Sequence, residues 1–381
     1  MSPTPVTFHH PDQPSAYSWE ATNEEVAGRY GVPLDRIARF DLNTAPAPPE
    51  LAVRVLRGGE FETPMSEYAP ADYRRLVAAA ASRYGVGSDE LVVGAGADEI
   101  LDIIGKTFLR EGAAAVVPVP TYAMFRVITE QRGARVIAVP RLGVGEGYAL
   151  DLPAVRAAAA HAAVVWLCSP NNPTALPEPD GAIRALLGQL AADAAAEGRE
   201  SPIVVVDEAY AEFAGGSLAP LRADHPNLIV IRTLSKAYAL AGLRVGFAIA
   251  RSEIVDRMNP YRPPGSIATV SVTIATEALL DATLAPANVE RLGKERERLA
   301  NALRAVGWSV GPSTTNFLLV DTGSIERAAA IAEGLLRRGL VPRTFPTGHP
   351  LADHLRITVR DGVQDDRLIE AARDLEQELP G

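Results

Sequence analysis

The chain has 381 residues, enough for two domains and a large buried core. Its 47% hydrophobic and 22% charged residues are ordinary for a soluble globular protein. A formal net charge of −10 argues against nucleic acid and anionic membranes as partners, since both require basic patches, but leaves room for a local basic pocket holding a small anion.

Residues 1–14 lack a basic region and an apolar core, so no secretory signal is expected. No apolar run reaches the ~20 residues of a membrane span. Residues 1–43 read as an N-terminal arm that forms part of a small domain. The Pro-rich stretch 44–49 then leads into a large domain expected over 44–255. Seven strands are expected there, at 91–93, 115–119, 135–139, 164–168, 203–207, 228–232 and 245–250. Several are apolar throughout, the pattern of strands buried on both faces. Helices are expected between them at 97–110, 122–132 and 180–197. Alternation of this kind predicts an α/β fold with an open, mostly parallel seven-stranded sheet covered by helices. The pattern then changes. Helices at 269–280 and 287–306 precede short strands at 316–320, 340–343 and 355–359, separated by helices at 325–338 and 365–378. This predicts a smaller α+β domain over 256–381. The single cysteine, Cys168, lies in an apolar run and reads as a buried small hydrophobe. It cannot form an intramolecular disulfide and fits a reducing cytoplasm.

The candidate functional residues follow in chain order. Gly94-Ala95-Gly96-Ala97-Asp98-Glu99 joins a strand to a helix, where free N–H groups could cradle a phosphate. Tyr122 follows the next strand and could stack on a ring or simply pack. Asn172, in Ser169-Pro170-Asn171-Asn172-Pro173-Thr174, is held extended by Pro173. It reads as a fixed amide donor or as a plain Asx turn. Asp207 ends a strand, where open α/β sheets bind ligands, and could pair with a pyridine nitrogen or cap the next helix. Tyr210 lies three residues on. Lys236, in Thr233-Leu234-Ser235-Lys236-Ala237, reads as a Schiff-base amine beside phosphate-binding hydroxyls or as a solvated surface lysine. Arg244 adds a charge-assisted fork. Arg356 sits inside the apolar stretch Leu355-Arg356-Ile357-Thr358-Val359, either on an exposed face or as a carboxylate clamp. An amine for an aldehyde, together with donors for a phosphate, matches pyridoxal 5'-phosphate (PLP). The six histidines show no His-x-x-x-His spacing, which argues against a metal hydrolase.

Taken together, this order resembles the fold-type-I PLP-dependent aminotransferases over nearly the whole chain. The four segments Ser169–Thr174, Asp207-Glu208-Ala209-Tyr210, Thr233–Ala237 and Leu355–Val359, with Tyr17 and Phe40-Asp41-Leu42-Asn43, most resemble the histidinol-phosphate aminotransferase family. The resemblance implies that Lys236 holds the cofactor and acts as the base, that Asp207 meets the ring nitrogen, and that Tyr210 and Asn172 meet the phenolic oxygen. It implies Thr233, Ser235, Arg244 and the backbone of Ala97 and Asp98 for the cofactor phosphate, and Tyr122 against the cofactor. Tyr68 would reach the neighbouring subunit's phosphate, which implies a homodimer. Arg356 and Asn172 would face the amino acid's carboxylate, and Tyr17 and Arg343 the substrate's own phosphate. The chain departs from the family at Thr44-Ala45 (usually Glu-Asn), at Ala175 (usually Gly) and in Tyr261-Arg262-Pro263-Pro264-Gly265-Ser266. That last loop has Gly265 near the place of a tyrosine, with Arg262 as a substitute anion donor. The expected activity is transamination between histidinol phosphate and 2-oxoglutarate in the cytoplasm. The alternatives are an aminotransferase for aromatic or other amino acids, a decarboxylase of the same fold, and a PLP-binding DNA regulator. The regulator would carry a basic domain ahead of the fold, and about forty acidic-to-neutral residues stand in its place.

Overall fold

The computed structural model describes residues 15–379, so the segment read for a secretory signal lies outside the described residues. Twelve strands occur among them. They are β1 (Ala38–Phe40), β2 (Leu91–Gly94), β3 (Ala114–Val119), β4 (Arg135–Pro140), β5 (Val164–Cys168), β6 (Ile203–Asp207), β7 (Leu228–Thr233), β8 (Gly246–Ile249), β9 (Ser309–Val310), β10 (Phe317–Asp321), β11 (Leu340–Pro342) and β12 (His354–Thr358). The large sheet runs β2-β8-β7-β6-β5-β3-β4, and only β8 is antiparallel to its neighbours.

Alternation within each strand explains the continuous apolar runs. Val165, Leu167, Val204, Val206 and Val230 join one core, while Val164, Trp166, Val205, Ile229 and Ile231 join another on the opposite face. The helices Gly96–Phe108 and Met124–Gln131 cover the second face through Ile100, Ile104 and Phe125. Ala182–Glu197 covers the first through Ile183, Leu186 and Leu190. The register sets Cys168 beside Asp207 and Asp207 beside Ile231, so β5, β6 and β7 end together.

A three-stranded antiparallel sheet, β12-β10-β9, and a parallel β1-β11 pair share a separate core of Phe40, Leu299, Leu335, Leu355 and Ile357. Backbone bonds between Arg343 and Arg356 join the two sheets. The strands β1 and β9 were not expected from the sequence. Both are two or three residues long, and β1 carries Arg39 in its middle, so neither shows an alternating run. The segment 44–49 is irregular as expected, but it does more than connect, because Thr44 lines the central cavity. Among the described residues, no single helix is long and apolar enough to cross a membrane.

Candidate active site

A cavity of about 600 Å³ opens beyond the carboxyl ends of β5, β6 and β7 and is closed from the other side by β12 and residues 41–44. Thirteen of the fourteen residues singled out in the sequence line it: Tyr17, Ala97, Asp98, Tyr122, Asn172, Asp207, Tyr210, Thr233, Ser235, Lys236, Arg244, Arg343 and Arg356. The fourteenth, Tyr68, is 88% exposed and lies against Gly265 instead.

The chain has three lysines. Lys106 pairs with Asp102 and Lys294 with Glu290, each on its own helix, while Lys236 points into the cavity. Its Nζ donates to the carbonyls of Asn43 at 3.1 Å and Leu42 at 3.4 Å, with no carboxylate in contact. Burial first, then the charges of Arg356 and Arg244, lower its amine to about 8, against opposing pulls from Asp98 and Asp207. Far more of this amine is free near neutrality than of an ordinary lysine, as a nucleophile or base requires. The solvated-surface alternative does not apply.

Asp207 is 4% exposed. Burial pushes its carboxyl up to about 7, helped by Asp98 and Glu208 and opposed by the Ala209 N–H and by Lys236. One oxygen accepts that N–H at 2.9 Å, and the short helix Ala211–Ala214 has Tyr210, not Asp207, at its N-cap. Helix capping is therefore not its role. A buried carboxylate held by one hydrogen bond suits a cationic partner such as a protonated ring nitrogen. The neighbouring Tyr210 hydroxyl accepts from Asn43 Nδ2 at 2.8 Å, and burial raises its pKa.

Asn171 positions the Asn172 loop. It is fully buried and bonds Thr121, Thr174 and the Pro120 carbonyl, which ties two loops together. Asn172 then accepts from Arg356 Nη1 at 2.7 Å, leaving its own amide protons to the cavity. Arg356 is 6% exposed, so the exposed-face alternative fails. A second bond goes to the Asp41 carbonyl, and its Nε has no partner.

A second group of hydrogen-bond donors lines the other end. The helix Gly96–Phe108 begins at Gly96 with φ +81°, a backbone conformation that favours glycine, and Ala97 and Asp98 of its first turn line the cavity, where the orphan N–H groups of a helix start lie. The Thr233 and Ser235 hydroxyls are 2.9 Å apart beside them. Arg244 pairs with Asp98 at 2.9 Å, and Asp98 also accepts from Tyr122 at 2.8 Å. One guanidinium, two hydroxyls and a helix N-terminus form a donor set suited to a doubly charged anion.

Trp19, Asp41, Leu42, Asn43, Thr44, Met124, Cys168, Ala209 and Ala241 also line the cavity and were not singled out as site residues. Asn43 matters most among them. It is 2% exposed, sits at φ +52°, and is pinned by Thr358 and Asn316 while holding Tyr210 and Lys236. Its place in the resembling segment Phe40–Asn43, just before a Pro-rich stretch, is the local sign, and Asn tolerates this left-handed backbone. Arg262 does not line the cavity. It donates to the Ala71 carbonyl at 2.7 Å and lies over the Tyr73 ring.

A mostly parallel sheet with a buried lysine, a buried aspartate and a group of anion-suited donors at its strand ends defines a class, and the chain belongs to the aminotransferase class I and II family, which matches residues 48–375. Histidinol-phosphate aminotransferase of Roseiflexus castenholzii is 35% identical over 362 residues, covering 92% of this chain and 93% of the relative. The enzyme of the same name from Methanothermobacter thermautotrophicus is 34% identical over 359 residues, with 93% of each chain covered. Among solved structures, histidinol-phosphate aminotransferase from Sinorhizobium meliloti in complex with pyridoxal-5'-phosphate aligns with a TM-score of 0.84 at 26% identity. The alignment covers 94% of this chain and 95% of that one.

Proposed function

We propose that this enzyme uses PLP to transfer an amino group between histidinol phosphate and 2-oxoglutarate. The observation that carries the reading is the convergence of Lys236, Asp207 and Arg356 on one cavity whose far end is a phosphate cradle. The named relatives, matched over nearly their full length, support the choice of substrate. When bound, the cofactor supplies an aldehyde for amines and a ring that withdraws electrons from the substrate's α-carbon. Thr233, Ser235, Arg244 and the N–H groups of Ala97 and Asp98 would hold its phosphate, with Arg244 exchanging Asp98 for the anion. Asp207 would face the ring nitrogen, Tyr210 and Asn172 the phenolic oxygen, and Tyr122 the cofactor. Lys236 would take and return the proton at the substrate's α-carbon, a task for which an amine near pKa 8 is suited. Arg356, beside Asn172, would bind a carboxylate, and Tyr17 with Arg343 the substrate phosphate.

The exposure of Tyr68 supports a homodimer in which it enters the neighbouring subunit's site. The unpaired, buried Cys168 suits a reducing cytoplasm. We take 44–255 as the cofactor-holding domain, and 256–381 with the arm 1–43 as the part that closes the substrate side. An assay of the purified enzyme tests the reading. Loss of histidinol phosphate should depend on 2-oxoglutarate and exceed turnover of phenylalanine, with no release of CO2. Faster phenylalanine turnover would favour an aromatic aminotransferase, and CO2 release a decarboxylase.

A further inference from the structure

Two guanidiniums line the substrate end of the cavity, and their surroundings differ in charge. Arg356 bonds only neutral acceptors, the Asn172 amide oxygen and the Asp41 carbonyl. Arg343 donates to the Ser18 carbonyl at 2.6 Å and lies 3.7 Å from a Glu20 carboxylate oxygen. That carboxylate is itself fixed. The Thr344 N–H and hydroxyl donate to it at 2.7 and 2.8 Å, so it cannot swing away. The two side chains are 15% and 18% exposed, which leaves little solvent between them to screen the charges. The Asp41 carboxylate near Arg356 is matched by a two-point pair with Arg39. The Tyr17 ring lies 5.4 Å from the Arg343 guanidinium and adds no formal charge.

We propose that Glu20 is a specificity-determining positioning residue: it anchors Arg343 and damps its attraction for anions, and so sets how tightly the cavity holds a phosphorylated amine relative to an unphosphorylated one. Glu20 acts through Arg343 and needs no contact with substrate. A fixed carboxylate beside one arginine penalises a dianion at that arginine more than a neutral or singly charged group there, because repulsion scales with the ligand's charge. Arg356, whose neighbour Asp41 is already paired with Arg39, keeps its pull on a carboxylate. The damping also favours departure of the phosphorylated compound, since an undamped pair of guanidiniums would retain it. The inference rests on the reading of Arg343 as the residue facing the substrate phosphate.

The test is inorganic phosphate titrated calorimetrically into the holoenzyme, whose cofactor already fills the Thr233–Ser235–Arg244 cradle. Glu20→Gln keeps an acceptor for Thr344 and removes the charge. The expected result is phosphate binding at least threefold tighter than wild type. Histidinol phosphate KM should fall in step while kcat stays within twofold, and inhibition by L-histidinol, which lacks the phosphate, should stay within twofold. In an Arg343→Gln background, Glu20→Gln should leave phosphate affinity unchanged. Unchanged or weaker phosphate binding in Glu20→Gln overturns the proposal, as does equal tightening without Arg343, or no phosphate binding to any variant. The titration needs no turnover. A wild-type enzyme that ignores histidinol phosphate would therefore refute the substrate assignment, while the calorimetry still decides the role of Glu20.

Discussion

Gly246→Ala tests how closely the sheet supports the start of the helix Gly96–Phe108, the proposed phosphate site. Gly246 opens β8 opposite Gly94 of β2, and a Cβ built there would lie 2.6 Å from the Gly96 carbonyl carbon, 2.7 Å from Ala97 N and 2.9 Å from Gly96 O. These are backbone atoms, so no side chain can rotate away to make room. Normal contact would require the start of the helix Gly96–Phe108 to retreat by roughly 0.7–0.8 Å. The helix resists, because Ile100, Leu101, Ile103 and Ile104 are fully buried beneath it. Overpacking of this kind costs about 1–3 kcal/mol. If Ala97 N–H holds the cofactor phosphate as proposed, the same displacement would withdraw it. Urea denaturation should show the loss of stability, and equilibrium dialysis at least a tenfold loss of PLP affinity. A variant with the wild-type urea midpoint and wild-type retention of PLP would refute both the close approach and the cradle's dependence on it.

Three further outcomes follow from the site. Asp207 has a folded pKa raised from 3.8 to about 7, so the ligand-free fold holds a proton that the unfolded chain has released, and its contribution to stability declines as pH rises between those values. Asp207→Asn should therefore gain on wild type from pH 4 to pH 7, by up to roughly 4 kcal/mol; a difference that does not vary with pH in urea titrations of the cofactor-free protein would be contrary. The lowered pKa of Lys236 predicts that reductive labelling of the cofactor-free protein with pyridoxal and borohydride reaches half-maximum at Lys236 near pH 8. Lys106 and Lys294 serve as references in the same peptide digest, and labelling of Lys236 no faster than Lys294 at pH 8 would contradict its placement in the cavity. Tyr210→Phe leaves the buried Asn43 amide without its acceptor and should cost about 1–3 kcal/mol. Tyr30→Phe, which removes a hydroxyl from the partly exposed Glu333, should cost less than 1 kcal/mol, and equal losses would show that burial does not set the difference.

The elements legible in the sequence were those whose residues answer to their immediate surroundings. The strands β5 and β6 matched the expected limits because each alternates between two cores, which demands apolar residues at every position. Asp207 stood out because a charge at the end of such a strand needs a reason, and Lys236 because it lies among small and hydroxyl residues just past β7. Asn43 and Trp19 did not. Their places in the cavity depend on β1 pairing with β11 and on contacts of the preceding segment with Arg343 and Thr344, and no local pattern records a partner so distant. The antiparallel direction of β8 was hidden for the same reason: a buried strand carries the same residues whichever way it runs.

The pairing of Ala38 with Leu340, and the pins on Asn43 from Asn316 and Thr358, carry a consequence for how the protein is made. The large sheet is complete once the ribosome has passed β8, so that part can fold while synthesis continues. The wall formed by residues 41–44 cannot, because it waits for chain emerging about 300 residues after its own start. A nascent protein stalled before residue 340 would carry Lys236, Asp207 and Arg244 but no finished chamber. Completion of the chamber therefore waits until Leu340–Pro342 has been translated.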